Sequence, residues 1–386
     1  MTGLFAATFF SGETGVAASL INREPRGIEP ALTLNGYIAG QLTFSDLFSM
    51  RGEFSLLTDD MCRNGLTKDA ESVFRITELS GTFTKSFAGA THTLSLFLGS
   101  FEAIGSQQFV TRHLGVQSYS SMLTENYLGQ NGATVYSVYG AGGNYALTFK
   151  NAPVSMGLAV TKADNFEDVA QMNVDFRLAA AFRYLTVDLA AGVGAPLYTK
   201  NANDEDVFVL IDTLYLHLGA DILLGSRHDL FSLYVQNGFD YLPIKKTSKS
   251  REFDFSDMHL LVEPRLNFGA MKIHITAFSL PLTTAEKMLY LDDTLGVNLN
   301  FFADALHTEK RDYAAGLSMM VSFEDKHLND IEAADIKDAM NIKLAPFTEI
   351  DVAGGRLRIM LQAGMLKFIN SKEDALKLNI CYKKEL

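Results

Sequence analysis

Few residues in this 386-residue chain have the types and spacing that catalysis or ligation needs. His92 stands just before Ser95, but an odd separation puts the two on opposite faces of a strand, where they cannot act as base and nucleophile. Gly140, Gly142 and Gly143 form a glycine patch without the spacing, or the helix that follows, of a phosphate loop. The stretch Glu324–Asp338 is acidic enough to attract a divalent cation, yet it shows no ordered ligand spacing. Cys62 and Cys381 are the only cysteines, too few for a disulfide scaffold or a structural zinc site, and both are expected to be free thiols. No enzymatic activity, cofactor or metal is therefore expected.

What remains is electrostatic. Arg51, Arg75, Arg177, Arg183, Arg265, Lys272, Lys343, Arg356, Arg358 and Lys377 all fall out of phase with the apolar residues around them. So do Glu53, Asp175, Asp188, Asp221, Asp240, Glu263 and Glu349, with His217, His259 and His274 beside them. The set is mildly basic, although the whole chain carries a net charge of −12. The surplus acid then belongs to the connections, and an acidic chain of this kind excludes a general nucleic-acid binder.

The elements that position these charges are strands. With 47% hydrophobic and 20% charged residues the chain is no disordered polymer. No window of about 20 apolar residues is present, as a membrane helix requires; the best candidate, Leu178–Leu197, is broken by Arg183 and Asp188. Alternation of period two instead runs the whole length. Met172, Val174, Phe176, Leu178, Ala180 and Phe182 oppose Asn173, Asp175, Arg177 and Arg183; Phe231, Leu233, Val235 and Phe239 oppose Ser232, Tyr234, Gln236 and Asp240. The runs are long, about 10–13 residues against the usual 5–6 of globular strands.

Seventeen runs are read: 31–43, 47–58, 72–86, 90–103, 131–150, 153–163, 171–183, 185–197, 206–224, 229–241, 255–268, 270–282, 289–304, 311–323, 339–351, 356–368 and 375–383. In 72–86 the phase slips between Ile76 and Leu79. Tight connections near Phe44–Asp46, Phe87–Ala90, Asn151–Pro153, Ser226–Asp229, Phe268–Ala270 and Ala353–Gly355 alternate with longer polar ones. The first run joins the second by a tight turn, so an ascending strand must precede it, and only 4–22 is available. The fold expected is all-β: a closed antiparallel transmembrane barrel of about 18 strands forming one domain over 1–386, with sixteen strands and an N-terminal plug as the fallback. A very large soluble β protein is the plain alternative.

With long alternating strands, short turns on one rim and long loops on the other, the chain resembles the bacterial outer-membrane porins over nearly all its length. The likeness is one of architecture, without a signature motif, and no subfamily is singled out. It implies an outer-membrane location with periplasmic termini, a leader already removed, lipid around the wall and contact with the outer-membrane assembly machinery. Homo-oligomerisation is left open. It also implies that the longest connection, 104–130, folds inward or plugs the barrel, with Gln107, Gln108, Arg112, His113 and Glu125 as candidates for a narrow zone. The porin pattern of a terminal aromatic residue is only partly met, because Lys383–Leu386 follow Tyr382.

The function expected is passive diffusion of small hydrophilic solutes or ions, past charges that either set ion preference or cross-link the wall. A transporter of fatty acids or other hydrophobic compounds, with 1–22 as its hatch, is the alternative, as is an adhesin whose loops bear function. For the latter, Lys245, Lys246, Lys249 and Arg251 form a basic stretch that anionic glycans would meet.

Overall fold

The computed structural model describes residues 8–22, 29–63, 73–128, 130–166, 169–200, 206–211, 213–226, 228–245, 252–307, 312–329, 331–332, 340–369 and 375–386. Residues 4–7 of the expected first strand, and Lys246, Lys249 and Arg251 of the basic stretch, lie outside the described residues, as does most of the acidic stretch after Glu332.

Eighteen strands form the wall. They are β1 (Phe9–Asn22), β2 (Pro30–Ser45), β3 (Phe48–Leu57), β4 (Val73–Phe87), β5 (Ala90–Ser100) and β6 (Tyr139–Phe149). Next come β7 (Val154–Phe166), β8 (Val169–Phe182), β9 (Leu185–Lys200), β10 (Leu214–Leu224), β11 (Phe231–Lys245) and β12 (Met258–Phe268). The circuit is completed by β13 (Met271–Ser279), β14 (Leu295–His307), β15 (Asp312–Phe323), β16 (Met340–Val352), β17 (Gly355–Gly364) and β18 (Leu376–Glu385). Each pairs antiparallel with its chain neighbours, and β1 pairs with β18 from Glu13 opposite Glu385 to Ile21 opposite Lys377, which closes the cylinder. Residues 9–22 are thus wall, and neither an N-terminal plug nor a hatch is formed by them.

Alternation puts apolar side chains outside. Leu94, Leu96 and Leu98 of β5 are 51%, 67% and 44% exposed, while Ser95 between them is buried against Thr82. His92 shares the outer face with them, stacked on Phe87 and bonded to Tyr145 Oη at 2.5 Å, so it does face away from Ser95. Phe44, Phe48, Phe87, Phe149, Phe182, Tyr184, Phe231 and Phe268 stand exposed along the tight-turn rim. They make an aromatic girdle in a chain that has no tryptophan. The chain terminus is on that same rim, where the Leu386 N–H donates to Gly12 O.

The phase slip in β4 is a β-bulge. Glu53 pairs with Glu78 but Phe54 with Ile76, so Thr77 is the extra residue and Glu78 turns inward. Room for it comes from Gly99 opposite, at φ 108°, where a Cβ would stand 2.3 Å from Thr77 O.

Several runs are shorter than their apolar pattern suggested: 90–103 ends at Ser100, 206–224 breaks after Leu210 and resumes at Leu214, 255–268 begins at Met258, 270–282 ends at Ser279, and three more give way to interior structure. The strand expected over 131–150 begins at Tyr139, because 131–138 belongs to the long connection and Tyr136 bridges back to Ile104. The run 289–304 begins at Leu295; Leu289, Tyr290 and Leu291 are buried inside the barrel instead. The run 356–368 ends at Gly364 and continues as a helical turn, Met365–Ile369. An apolar residue packing against an interior cluster has the same sequence signature as one facing lipid. Cys62 and Cys381 are both free thiols, the first exposed on the loop rim and the second buried in β18.

The outer face generates a direct test. Leu96→Arg, at the middle of β5, is expected to destabilise the barrel in lipid vesicles by about 2–4 kcal/mol, measured by denaturant unfolding. Leu96→Ala is expected to cost far less.

Candidate functional site

The connection between β5 and β6, residues 101–138, turns into the barrel rather than lying over it. Two non-glycine residues in left-handed conformation, Glu102 at φ 45° and Gln107 at φ 63°, make the entry bend. Helix α1 (Gln108–Leu114) follows and stops at Gly115, whose left-handed backbone returns its N–H to Thr111 O. Further on, Glu125–Tyr127 pairs with Gln130–Asn131 in a small hairpin.

Apolar burial holds this segment in place. Phe109, Val110, Tyr119 and Leu123 are less than 5% exposed and pack with inward side chains of the wall, Ala146, Ala179, Leu223, Tyr234, Leu261 and Phe278. Alanine at Ala146 and Ala179 leaves depth for the bulky segment residues. Met288 and Leu291, from the connection 280–294, join the same cluster. That second inward segment was not foreseen as part of the interior.

Charge pairing fixes the rest. Arg177 of β8 binds Asp188 of β9 at 3.0 Å and donates to Glu102 O, while Asp188 accepts the Val110 N–H at 3.4 Å. Glu102 takes His113 at 3.1 Å and lies 3.8 Å from Arg112. Arg112 also binds Glu78, which lies 4.0 Å from Arg51, and Arg51 holds Glu53 at 3.1 Å. In this chain of pairs the two arginines keep 25% and 22% of their side-chain surface exposed, whereas Glu78 keeps 2%. Glu53 keeps 16%, so the accessible charge of this chain of pairs is mixed, with the arginines more exposed than their acidic partners. Burial by itself would raise the Glu102 carboxyl, but the His113 hydrogen bond and the charges of His113, Arg112 and Arg177 outweigh it and hold the group below the ordinary carboxylate range.

The five residues expected in the narrow zone separate by role. Arg112 is on the accessible chain of charges, and Gln108 lines the loop-side cavity described below. Gln107 is 1% exposed and is a strut: its amide donates to Tyr234 Oη at 3.2 Å and its carbonyl accepts the Tyr119 N–H at 2.8 Å. His113 is turned onto Glu102. Glu125 accepts from Arg358 at 3.0 Å, toward the tight-turn side.

The wall charges are equally divided. Glu53, Arg265, Lys272 and Arg358 line cavities, while Arg51 is partly exposed and paired with Glu53. Arg177 is sealed behind α1, and Asp221 is fully buried, accepting from Tyr234 Oη at 2.8 Å. Glu263, also fully buried, accepts from Ser121, Thr276 and Arg265. Lys343 meets Asp293 at 2.7 Å and Asp292 at 3.3 Å. Arg356 binds Asp351 at 2.7 Å and Glu349 at 3.1 Å. Arg75 is exposed at the loop-side end of β4, over the Tyr139 ring at 4.2 Å. Arg183, expected on the inner wall, instead occupies the turn between β8 and β9 with its guanidinium over Tyr184; the strand ends at Phe182, one residue before alternation would have turned it inward.

Glu78 and Glu102 were missed. The slip in phase after Ile76 was the only sequence signal for Glu78, since a bulge reverses parity without marking the direction. Glu102 sat inside a run taken as strand to residue 103.

Segment 101–138 borders two larger cavities. One of about 650 Å³ lies on the loop side against β1–β4, and one of about 370 Å³ lies on the tight-turn side against Arg265, Lys272, Glu349 and Arg358.

No family model and no curated protein matches the chain. Among solved structures it is similar to a triple mutant of the Rh. blastica porin, at 11% identity and a TM-score of 0.40 over 98% of this chain and 100% of that one. It is also similar to OccK5 (OpdH) of Pseudomonas aeruginosa, at 11% identity and a TM-score of 0.49 over 98% of each chain. No residue role is carried over from either.

The lowered Glu102 carboxyl gives a pH test. Its contribution to anchoring α1 is present above the ordinary carboxylate pKa, about 4.3, and is lost as pH falls through its lower folded value. Hydrogen exchange of the α1 amides is expected to stay flat from neutral pH down to the ordinary range, once corrected for intrinsic rates, and to accelerate below it. Glu102→Gln is expected to accelerate exchange already at neutral pH.

Proposed function

We propose that the protein is a porin-like diffusion channel of an outer membrane, passing small hydrophilic solutes or ions with weak preference for anions. The observation that carries this reading is the sealed wall, apolar outside and polar within, whose interior keeps a cavity on each side of one inward-folded segment. Arg51 and Arg112, whose partners Glu53 and Glu78 line the loop-side cavity, keep 25% and 22% of their side-chain surface exposed against 16% and 2% for those partners, and a low-dielectric wall strengthens the field of such groups. Periplasmic termini, lipid contact around the girdle and insertion by the assembly machinery belong to the same reading. A catalytic role does not.

The apolar-compound transporter has less support. The cavity walls are rich in hydroxyl, amide and charged groups rather than forming an apolar path, and residues 9–22 are a wall strand.

Purified protein in planar bilayers is expected to give stepwise conductance, with a reversal potential in a salt gradient of the sign that favours anions. The double change Arg51→Ala and Arg112→Ala is expected to move that potential toward cation preference. Absence of steps from pure, folded protein would sink the channel; an unchanged reversal potential in the double variant would remove those arginines from selectivity.

A further inference from the structure

We infer that the tight-turn rim of β4–β6 binds one anionic glycerophospholipid on the outside of the barrel, its phosphate met by Lys85, His92 and Lys150. The inference rests on the outer-membrane reading for the lipid around the wall, and names the lipid that this part of the wall selects.

Charge is out of place on this face. Lys85 of β4 pairs directly with His92 of β5, so the two share a side of the sheet, and that side also carries Leu79, Phe83, Leu94, Leu96 and Leu98, all exposed. Thr82 and Ser95, bonded to each other at 2.9 Å, occupy the opposite, inward side. A lysine facing a histidine gains nothing from its cross-strand neighbour. On the lipid side a basic residue is tolerated near the interface, where its stem lies along apolar surface and its charge reaches the headgroups. The next turn adds Lys150, whose backbone N–H donates to Gly89 O at 3.0 Å and so stands beside the β4–β5 turn. Both lysines are exposed, and neither ammonium has an ion-pair or hydrogen-bond partner among the described residues.

Aromatic packing sets the height of the cluster. His92 lies flat on Phe87, with centroids 3.7 Å apart and planes 8° from parallel, and its Nδ1 meets Tyr145 Oη at 2.5 Å. Phe87 and Phe149 belong to the girdle, and rings of that kind mark the level of the headgroups. The basic groups therefore stand where lipid phosphates lie, and two unpaired lysines attract an anionic headgroup more strongly than a zwitterionic one.

The wall beside the cluster accommodates the rest of a lipid. Beyond Tyr145 the outward row of β6 continues as Gly143 and Ala141, opposite Leu96 and Leu98 of β5 on one side and, at Gly143, Val160 of β7 on the other. A Cβ at Gly143 would stand 3.5 Å from Leu96 Cδ2, so its absence leaves a shallow valley along that leucine. An acyl chain laid there makes dispersion contacts on both flanks, which a free phosphate ion cannot make. Headgroup charge selects the lipid class, and the valley only receives its tail.

Native mass spectrometry of the detergent-solubilised barrel tests the site. Phosphatidylglycerol is expected to stay bound as a single adduct and to outcompete phosphatidylcholine of the same chains. The double change Lys85→Gln and Lys150→Gln is expected to weaken phosphatidylglycerol about 25-fold, about fivefold per lysine, and phosphatidylcholine less. Lys162→Gln, at the loop-side end of β7 and opposite Ala141, is expected to leave the preference unchanged. All three side chains are exposed, and heat-modifiable migration verifies folding. No preference for phosphatidylglycerol, an unmoved preference in the double variant, or an equal loss in Lys162→Gln overturns the site. Displacement by inorganic phosphate at the lipid's own concentration overturns the lipid assignment. Selective binding by a barrel that gives no conductance keeps this site and overturns the channel; conductance without selective binding does the reverse.

Discussion

The structure depends on the hydrogen bonds between β1 and β18. In hydrocarbon an unpaired backbone N–H or C=O costs several kcal/mol, so a sheet this long is tolerable in lipid only when its last strand returns to its first. Closure removes the edges and divides every strand into an outward and an inward row. The girdle of phenylalanine and tyrosine on the tight-turn rim, and the leucines of β5 above it, follow from that division.

Closure also creates the problem that the interior solves. A ring of strands encloses polar side chains in a confined space, where unpaired charge is expensive. The pairs Arg177–Asp188, Arg265–Glu263 and Lys343–Asp293 satisfy the wall, and several of these residues serve the inward segment as well. Arg177 reaches the Glu102 carbonyl, Asp188 takes the Val110 N–H, and Arg265 donates to the Tyr119 and Ser120 carbonyls. Wall electrostatics and the placement of the segment are one system, and a change in either is transmitted to the other.

The interior is unevenly filled. On the side of β6–β13 the segment inserts Phe109, Val110, Tyr119 and Leu123 into a packed apolar cluster. On the side of β1–β4 it presents its hairpin and a hydroxyl-lined cavity. The segment is thereby anchored on one side and leaves space on the other, with Glu53 and Glu78 lining that space and Arg51 and Arg112 paired to them. The bulge at Thr77 contributes directly, because without its reversal of parity Glu78 would point away from Arg112.

The alternation and the tight-turn rim were legible in the amino-acid order, because alternation between oil and water is a relation between adjacent residues. The eighteenth strand followed only from the parity of the connections, with a plug as the alternative that the pairing of 9–22 with β2 and β18 removes. Most basic and acidic residues of the inner face were legible from the same alternation, apart from Arg183, which lies in a turn, and Glu78, which the bulge turns inward. Which of them meet was not: Arg112 finding Glu78, or Gln107 becoming a strut on Tyr234, depends on how a long connection crosses the barrel and on strand registers far apart in the chain. Leu289–Leu291 shows the limit most plainly, since burial against an interior cluster and exposure to lipid reward the same side chains. Only the tertiary structure decided between them, because only three-dimensional closure defines an inside.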